Sequence, residues 1–230
     1  TDADGATTYA YSISGGADAA KFAINASTGV LTFVSAPNFE APSDAGGINI
    51  YDVTVQVSDG TNTDTQAMAV TVTNLNDIAP VITSNGGGAT AGVSVAENST
   101  AVTTVTATDA DGTTTYTYSI SGGADATKFA IDASTGALAF VSAPNFDVAG
   151  DADADNVYDV VVQVSDGTNV DTQAIAVTVT GVNDNTPAIT SNGGDATAGV
   201  SVAENATAVT TVTASDADQG TGSSLTYSIS

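Results

Sequence analysis

The sequence predicts an all-β chain of tandem seven-stranded antiparallel Greek-key sandwiches. Three features carry that expectation. Residues 1–107 align without a gap onto 108–214, with roughly four positions in five identical, a period too long for a helical or leucine-rich solenoid. Each period is about the 100 residues that a two-sheet sandwich needs. Within a period, apolar and polar residues alternate between turn signals spaced 8–12 residues apart, and no stretch has helical spacing. The chain accordingly divides into 1–77, the C-terminal part of one sandwich, 78–185, a complete one, and 186–230, the N-terminal part of a third. It reads as a window on a longer protein.

The complete repeat is taken in order. Ile82-Thr83-Ser84 and Gly92-Val93-Ser94-Val95 form a first strand, broken by the turn-rich Asn85-Gly86-Gly87-Gly88. Val102 to Thr108 is rich in Val and Thr and reads as one strand, closed by the turn Asp109-Ala110-Asp111-Gly112. Tyr116, Tyr118 and Ile120 alternate with Thr117 and Ser119, the pattern of a half-buried strand. Phe129-Ala130-Ile131 is short and apolar, and Asp132 to Gly136 makes a tight turn before Leu138 and Phe140. An acidic loop, Gly150 to Asn156, precedes the cleanest strand, Tyr158 to Val164. Asp166-Gly167 then turns the chain into Ala174 to Val179.

Charge narrows the function. Twenty-six acidic residues face two lysines, with no histidine, for a formal net charge of −24. A nucleic-acid binder needs basic phosphate contacts, which this chain lacks. An anionic membrane surface would repel it, and no apolar run is long enough to insert. Without His, Cys or Arg, acid–base and nucleophilic schemes have no credible base, so the chain reads as non-enzymatic. Apolar residues make up 42%, which is too many for a disordered acidic tail. Self-repulsion and the absence of disulfides both call for another staple, and a divalent cation is one.

The stretch Gly181-Val182-Asn183-Asp184-Asn185-Thr186-Pro187 supplies carboxylate and amide oxygens, the donors that Ca²⁺ prefers. Pro187 extends the residue before it, which suits a taut linker. A near-copy is Asn74-Leu75-Asn76-Asp77-Ile78-Ala79-Pro80. Four further motifs keep step with the linker: Glu97-Asn98 and Glu204-Asn205; Asp2/Asp4, Asp109/Asp111 and Asp216/Asp218; Pro37-Asn38-Phe39-Glu40 and Pro144-Asn145-Phe146-Asp147; and the lone Asp59 and Asp166. In this order and spacing the chain resembles tandem cadherin-like repeats over its whole length.

The resemblance implies Ca²⁺ bound at the junctions between successive modules. One junction would use Asn38, Glu40, Asn76, Asp77, Asp109, Asp111 and Asp166. The next would use Glu97, Asn145, Asp147, Asn183, Asp184, Asn185, Asp216 and Asp218. Asp2, Asp4 and Asp59 would serve a module upstream, and Glu204 one downstream. The chain departs from the pattern in three places. Gly181 and Asn74 replace the first linker aspartate. Asn38 and Asn145 replace a carboxylate, which should weaken one ion. Ile78 replaces the last linker asparagine, where the family uses a main-chain carbonyl.

Other features compete for attention. Asp151-Ala152-Asp153-Ala154-Asp155-Asn156 resembles the start of a calcium loop but also reads as an exposed acidic loop, and the first repeat keeps only Asp44 of its three carboxylates. Asp171 reads as an indifferent loop carboxylate. Lys21 and Lys128 follow a polar Gly-rich turn beside Phe22 and Phe129, where snorkelling surface lysines are expected.

The small difference between repeats, the Asp/Thr/Ala/Gly bias and the missing cysteines resemble the extender regions of giant bacterial adhesins. That implies an extracellular or cell-surface rod stiffened by Ca²⁺, with neighbouring cadherin-like domains of the same chain as its partners. Two alternatives stay open: adhesion by the repeats themselves, through homotypic self-association or a glycan, and a filament in which residues 186–230 of one chain complete the head of the next by strand addition.

Overall fold

The computed structural model describes residues 8–112, 115–218 and 224–229. The chain forms two compact units, 1–77 and 78–230. Among the described residues the only helical elements are four short 3-10 turns, and no helix is long and apolar enough to cross a membrane.

The first unit contains β1 (Ala10–Gly15), β2 (Phe22–Ile24), β3 (Leu31–Phe33), β4 (Ile50–Ser58) and β5 (Thr63–Thr71). β1, β4 and β5 form one antiparallel sheet, and β2 pairs with β3. Phe22, Tyr51 and Val53 are the buried centre between them, with Phe22 stacked on Phe33 at a 4.6 Å centroid distance.

The second unit opens with β6 (Val81–Ile82), β7 (Thr90–Ala96), β8 (Ala101–Thr104) and β9 (Ala107–Thr108). It continues through β10 (Thr117–Gly122), β11 (Phe129–Ile131), β12 (Ala137–Phe140), β13 (Val157–Ser165) and β14 (Val170–Thr180). One sheet has the order β10-β13-β14-β7 and another β11-β12-β8, while β6 pairs with β9. The expected alternation holds where the core is deepest. Tyr158, Val160, Val162 and Val164 from β13 and Ile175, Val177 and Val179 from β14 are each at most 3% exposed, and each fully buried aliphatic side chain contributes about 1.5–3 kcal/mol.

Two strand expectations are corrected. The first strand divides as the glycines imply, but its second half, β7, runs parallel to β14 rather than antiparallel. The division sits at a 3-10 turn, Ser84–Gly86, where Asn85 takes a left-handed φ of 53°. Val102 to Thr108 is two strands rather than one. β8 pairs with β12 and β9 with β6, and between them the amide of Val105 donates to the Gly136 carbonyl at 2.8 Å. Gly136 has to be a glycine, since it takes φ +71° and a Cβ there would stand 2.2 Å from the Val105 carbonyl oxygen.

The split first strand is fastened by Gln173, a buried amide that the sequence did not single out. Its Nε2 donates to the carbonyls of Ser84 (3.3 Å) and Gly88 (2.8 Å), and its Oε1 accepts from Asn85 Nδ2 at 3.2 Å. Asn85 Oδ1 in turn accepts from the Thr103 hydroxyl at 2.9 Å.

Near-identical sequence is buried differently in the two units. Met68 and Val70 of β5 are half-buried, whereas their counterparts Ile175 and Val177 are 1% and 0% exposed. β14 is flanked on both sides and β5 on one. At the other end of the chain, β15 (Ala188–Ile189) pairs with β16 (Ala214–Ser215), as β6 does with β9. Residues 197–203 and 208–211 repeat β7 and β8 in sequence, but the described structure pairs them with nothing.

Gln173→Ala should therefore cost about 3 kcal/mol, because buried carbonyls lose their donors. Its counterpart Gln66, which is exposed, should change stability by less than about 0.5 kcal/mol when replaced by Ala. Urea unfolding of both variants checks this, and equal losses would show that Gln173 is not the fastening.

Candidate metal centre

The site is built by backbone amides that aim carboxylates. Glu97, at the turn after β7, is 3% exposed. Its Oε2 accepts the Phe146 amide at 2.8 Å and its Oε1 the Val182 amide at 2.7 Å. One carboxylate thus ties the Pro144–Val148 loop to the start of the 181–187 linker. Asp218 is fully buried, and its Oδ2 accepts the Asn185 amide at 2.7 Å. Asp216 Oδ1 accepts the Asp218 amide at 3.1 Å, which is why the Asp-x-Asp spacing matters: the first aspartate caps the second.

These contacts bring one carboxylate oxygen each from Glu97, Asp147, Asp184 and Asp218 within 4.8 Å of one another. Asn185 sits among them. Its Nδ2 donates to Asp147 Oδ2 (2.6 Å), Asp218 Oδ1 (3.0 Å) and Asp184 Oδ1 (3.1 Å). Asn98 Nδ2 donates to Asp184 Oδ2 at 2.5 Å. The donor set is all oxygen, with no basic side chain, the chemistry of a hard divalent cation site. Burial pushes the Asp147 carboxyl above the usual aspartate range, and the charges of Asp218, Glu97 and Asp184 push the same way against the hydrogen bond from Asn185.

The other candidates divide between the units. In the first, Asn38 Oδ1 caps its own turn, accepting the Glu40 and Ala41 amides at 2.8 and 3.2 Å. Glu40 Oε1 is enclosed and accepts no hydrogen bond. Asp59 Oδ1 accepts the Thr61 and Asn62 amides, and Asn76 and Asp77 end the unit. In the second, Asp111 Oδ2 accepts the Ile78 amide at 2.8 Å, as Asp218 does that of Asn185. The Ile78 replacement therefore leaves this main-chain contact intact. Asp109 Oδ1 caps Asp111 at 2.8 Å, while its Oδ2 is enclosed without a hydrogen-bond partner. Asp166 caps Thr168 and Asn169, and Asn169 Nδ2 reaches back to the Ile78 carbonyl at 3.2 Å. The Tyr116 hydroxyl is pushed up by burial and by the charges of Asp109 and Asp166, so the two aspartates share its neighbourhood.

Some candidates fall outside this convergence. Asn145 Oδ1 accepts the Val148 amide at 2.9 Å, an internal turn contact. Asn183 and Glu204 are exposed. Asp2 and Asp4 lie outside the described residues. Asp171 is part of β14 rather than an indifferent loop residue, and its Oδ2 accepts the Ile82 amide at 2.9 Å.

Carboxylates that act as scaffolding had gone unread. Asp125, 3% exposed, accepts the Ala152 and Asp159 amides at 2.8 and 2.9 Å, and Asp18 does the same for Ala45 and Asp52. The available signal was their identical place after a Gly-Gly pair. In the acidic loop, Asp151, Asp153 and Asp155 also approach within 4.8 Å of one another. Burial raises the Asp151 carboxyl, but the amides of Asp155 and Asn156 outweigh it and hold it low. Its counterpart Asp44 is held low first by the Ile48 amide. The shared role of this aspartate is to fold the loop.

No protein-family model matches the chain, and no curated protein matches it. Solved structures do. The protocadherin gammaB7 EC3-6 cis-dimer structure matches at 22% identity and a TM-score of 0.64 over 91% of this chain, and mouse protocadherin-24 EC1-3 at 24% and 0.63 over 93%. Human CDH23 EC21-23 matches at 20% and 0.62 over 94%. These alignments cover 51%, 67% and 76% of the respective chains, so this chain spans about half the length of the first. The fold is that of cadherin extracellular domains.

The raised Asp147 carboxyl generates a pH prediction. A penalty on its charged form develops as pH rises from the ordinary aspartate range through the raised folded value, and is complete above it. Asp147→Asn keeps an oxygen for Asn185 and removes the charge. With divalent cations chelated, thermal unfolding should show the variant more stable than the natural chain at pH 7. The difference should vanish as pH falls below the ordinary aspartate range. A difference independent of pH would contradict it.

Proposed function

We propose that this chain is a Ca²⁺-stiffened extender segment of a secreted or surface-anchored bacterial adhesin, with modules 1–77, 78–185 and 186–230 in series. The observation that carries this reading is the convergence of Glu97, Asp147, Asp184 and Asp218 within 4.8 Å. They come from the end of β7, the loop before β13, the 181–187 linker and the turn after β16. A Ca²⁺ ion takes six to eight oxygens. These four carboxylates would hold it, and Asn185, whose side chain sits among them, would turn its amide oxygen to the ion as a further donor. The same motif residues at the preceding linker, Glu40, Asp77, Asp109, Asp111 and Asp166, would do so again, and Asp2, Asp4, Asp59 and Glu204 would belong to neighbouring junctions.

The chemistry required of the ion is electrostatic. Bound cations offset the repulsion that this donor set creates and fix the linker to both flanking segments. The cores of β10 to β14 do not run through the acid cluster, so losing the cation should free the linker before it unfolds the sandwich. Such a rod would carry a distal binding domain away from a surface, its immediate partners being the neighbouring modules.

Chelation should therefore shorten the chain's maximum dimension in small-angle scattering while leaving the β-sheet circular dichroism unchanged. Asp184→Ala should weaken Ca²⁺ binding at this junction by on the order of tenfold or more, since charge count sets affinity at such sites. Asp64→Ala, an exposed residue of the β4–β5 hairpin, should leave it unchanged. An unchanged dimension on chelation, or equal affinities for the two variants, would refute the reading.

A further inference from the structure

We propose that each unit carries a binding site for a carboxylated saccharide, built around its single lysine and independent of the cation site. Both units have the same cavity. In the second unit it is about 450 Å³ and is lined by Lys128, Thr127, Ser142, Asn145, Val148 and Tyr158, among others. In the first unit it is about 270 Å³, with Lys21, Ser35, Asn38, Ser43 and Tyr51 on its walls. These are the chain's only two basic side chains against 26 acids, yet no acidic residue lines either cavity. Neither lysine forms an ion pair or a side-chain hydrogen bond among the described residues. A lysine kept for stability in so acidic a chain would be expected beside a carboxylate. These two instead line concavities to which no acidic side chain contributes, and both are exposed there.

The walls are fixed in advance. The Lys128 amide donates to the Asp125 carbonyl at 2.8 Å, and its own carbonyl accepts from Val141 at 2.8 Å. The Tyr158 hydroxyl accepts the Gly150 amide at 3.1 Å. Lys21 is anchored identically, by Asp18 and Val34, and Tyr51 accepts the Ser43 amide at 3.2 Å. Preorganised roots reduce the entropy lost on binding. The size of the larger cavity is in the range of small-ligand sites.

The lining selects the ligand. The ammonium calls for an anion, and the chain's overall charge disfavours a doubly charged phosphate more than a single carboxylate. Hydroxyl and amide groups at Thr127, Ser142 and Asn145 can meet sugar hydroxyls, while Val148, 73% exposed, offers a small apolar face to ring carbons. A uronate residue has all three features.

The test is an amide NMR titration of the full chain with methyl galacturonoside, a uronate carrying one carboxylate, run with calcium and again with a chelator. Shifts are expected in the Thr127–Val148 and Ala20–Ser43 segments, saturating at two sugars per chain, in both conditions. Lys128→Gln should abolish the first set and spare the second, and Lys21→Gln should do the reverse. The methyl ester of the same sugar, which lacks the charge, should bind at least about tenfold more weakly, as loss of a charge-assisted contact implies. Absent shifts in these segments, shifts indifferent to the lysine substitutions, equal binding of the ester, or binding only with calcium would each overturn the proposal. The last outcome would mark bridging at the acid cluster, and persistence in chelator separates the two sites.

Discussion

Four carboxylates held within 4.8 Å of one another, with no basic side chain to separate them, are the constraint around which the second unit is arranged. Left to themselves they would part. Backbone amides prevent it: Phe146 and Val182 grip Glu97, and Asn185 grips Asp218. Hydrogen bonds from amides to charged oxygens are among the stronger ones available to a chain without arginine. They fix where the charges point but do not neutralise them. The Asp147 carboxyl registers the remaining penalty, pushed up by burial first and by its three acidic neighbours next. The extender reading proposed above supplies the neutralising charge from solution.

Most of this acidic cluster was legible in the sequence, because residue identity and spacing are local properties. Asp-x-Asp puts the second carboxylate under the linker amide in both copies, at Asp111 and Asp218. Glu97 lies one residue past β7 and so stays at the end of the sandwich. The less legible parts are those where an aspartate or asparagine has two possible employments. Asn145 and Asp147 belong to one motif, yet Asn145 caps its own loop while Asp147 faces the other carboxylates. Asp125 and Asp171 look like surface acids but hold backbone amides from distant segments. A capping aspartate and a ligating one share the same turn-forming neighbours, and only the third dimension separates them.

The fold shows the same division. Alternation located the β13 and β14 core because period two is written residue by residue. The parallel pairing of β7 with β14 could not be read that way, since a strand's pattern does not state the direction of its partner. Burial is less local still. Val70 and Val177 sit in matching sequence, but the second lies on an inner strand of a four-stranded sheet and the first on the edge strand of a three-stranded one. The two lysines are the reverse case: the sequence reads them as surface lysines, and what sets them apart is that no acidic side chain lines the cavities beside them.

The central claim is that a cation fixes the 181–187 linker to the segments on either side. The chain has no cysteine, so two can be introduced cleanly, at the exposed positions Ala130 and Ala208, and spin-labelled. Double electron–electron resonance then reads the distance distribution between them. The account predicts one narrow distribution with Ca²⁺ and a broad one in chelator, with Asp184→Ala broad in both. Identical distributions with and without Ca²⁺ would contradict it.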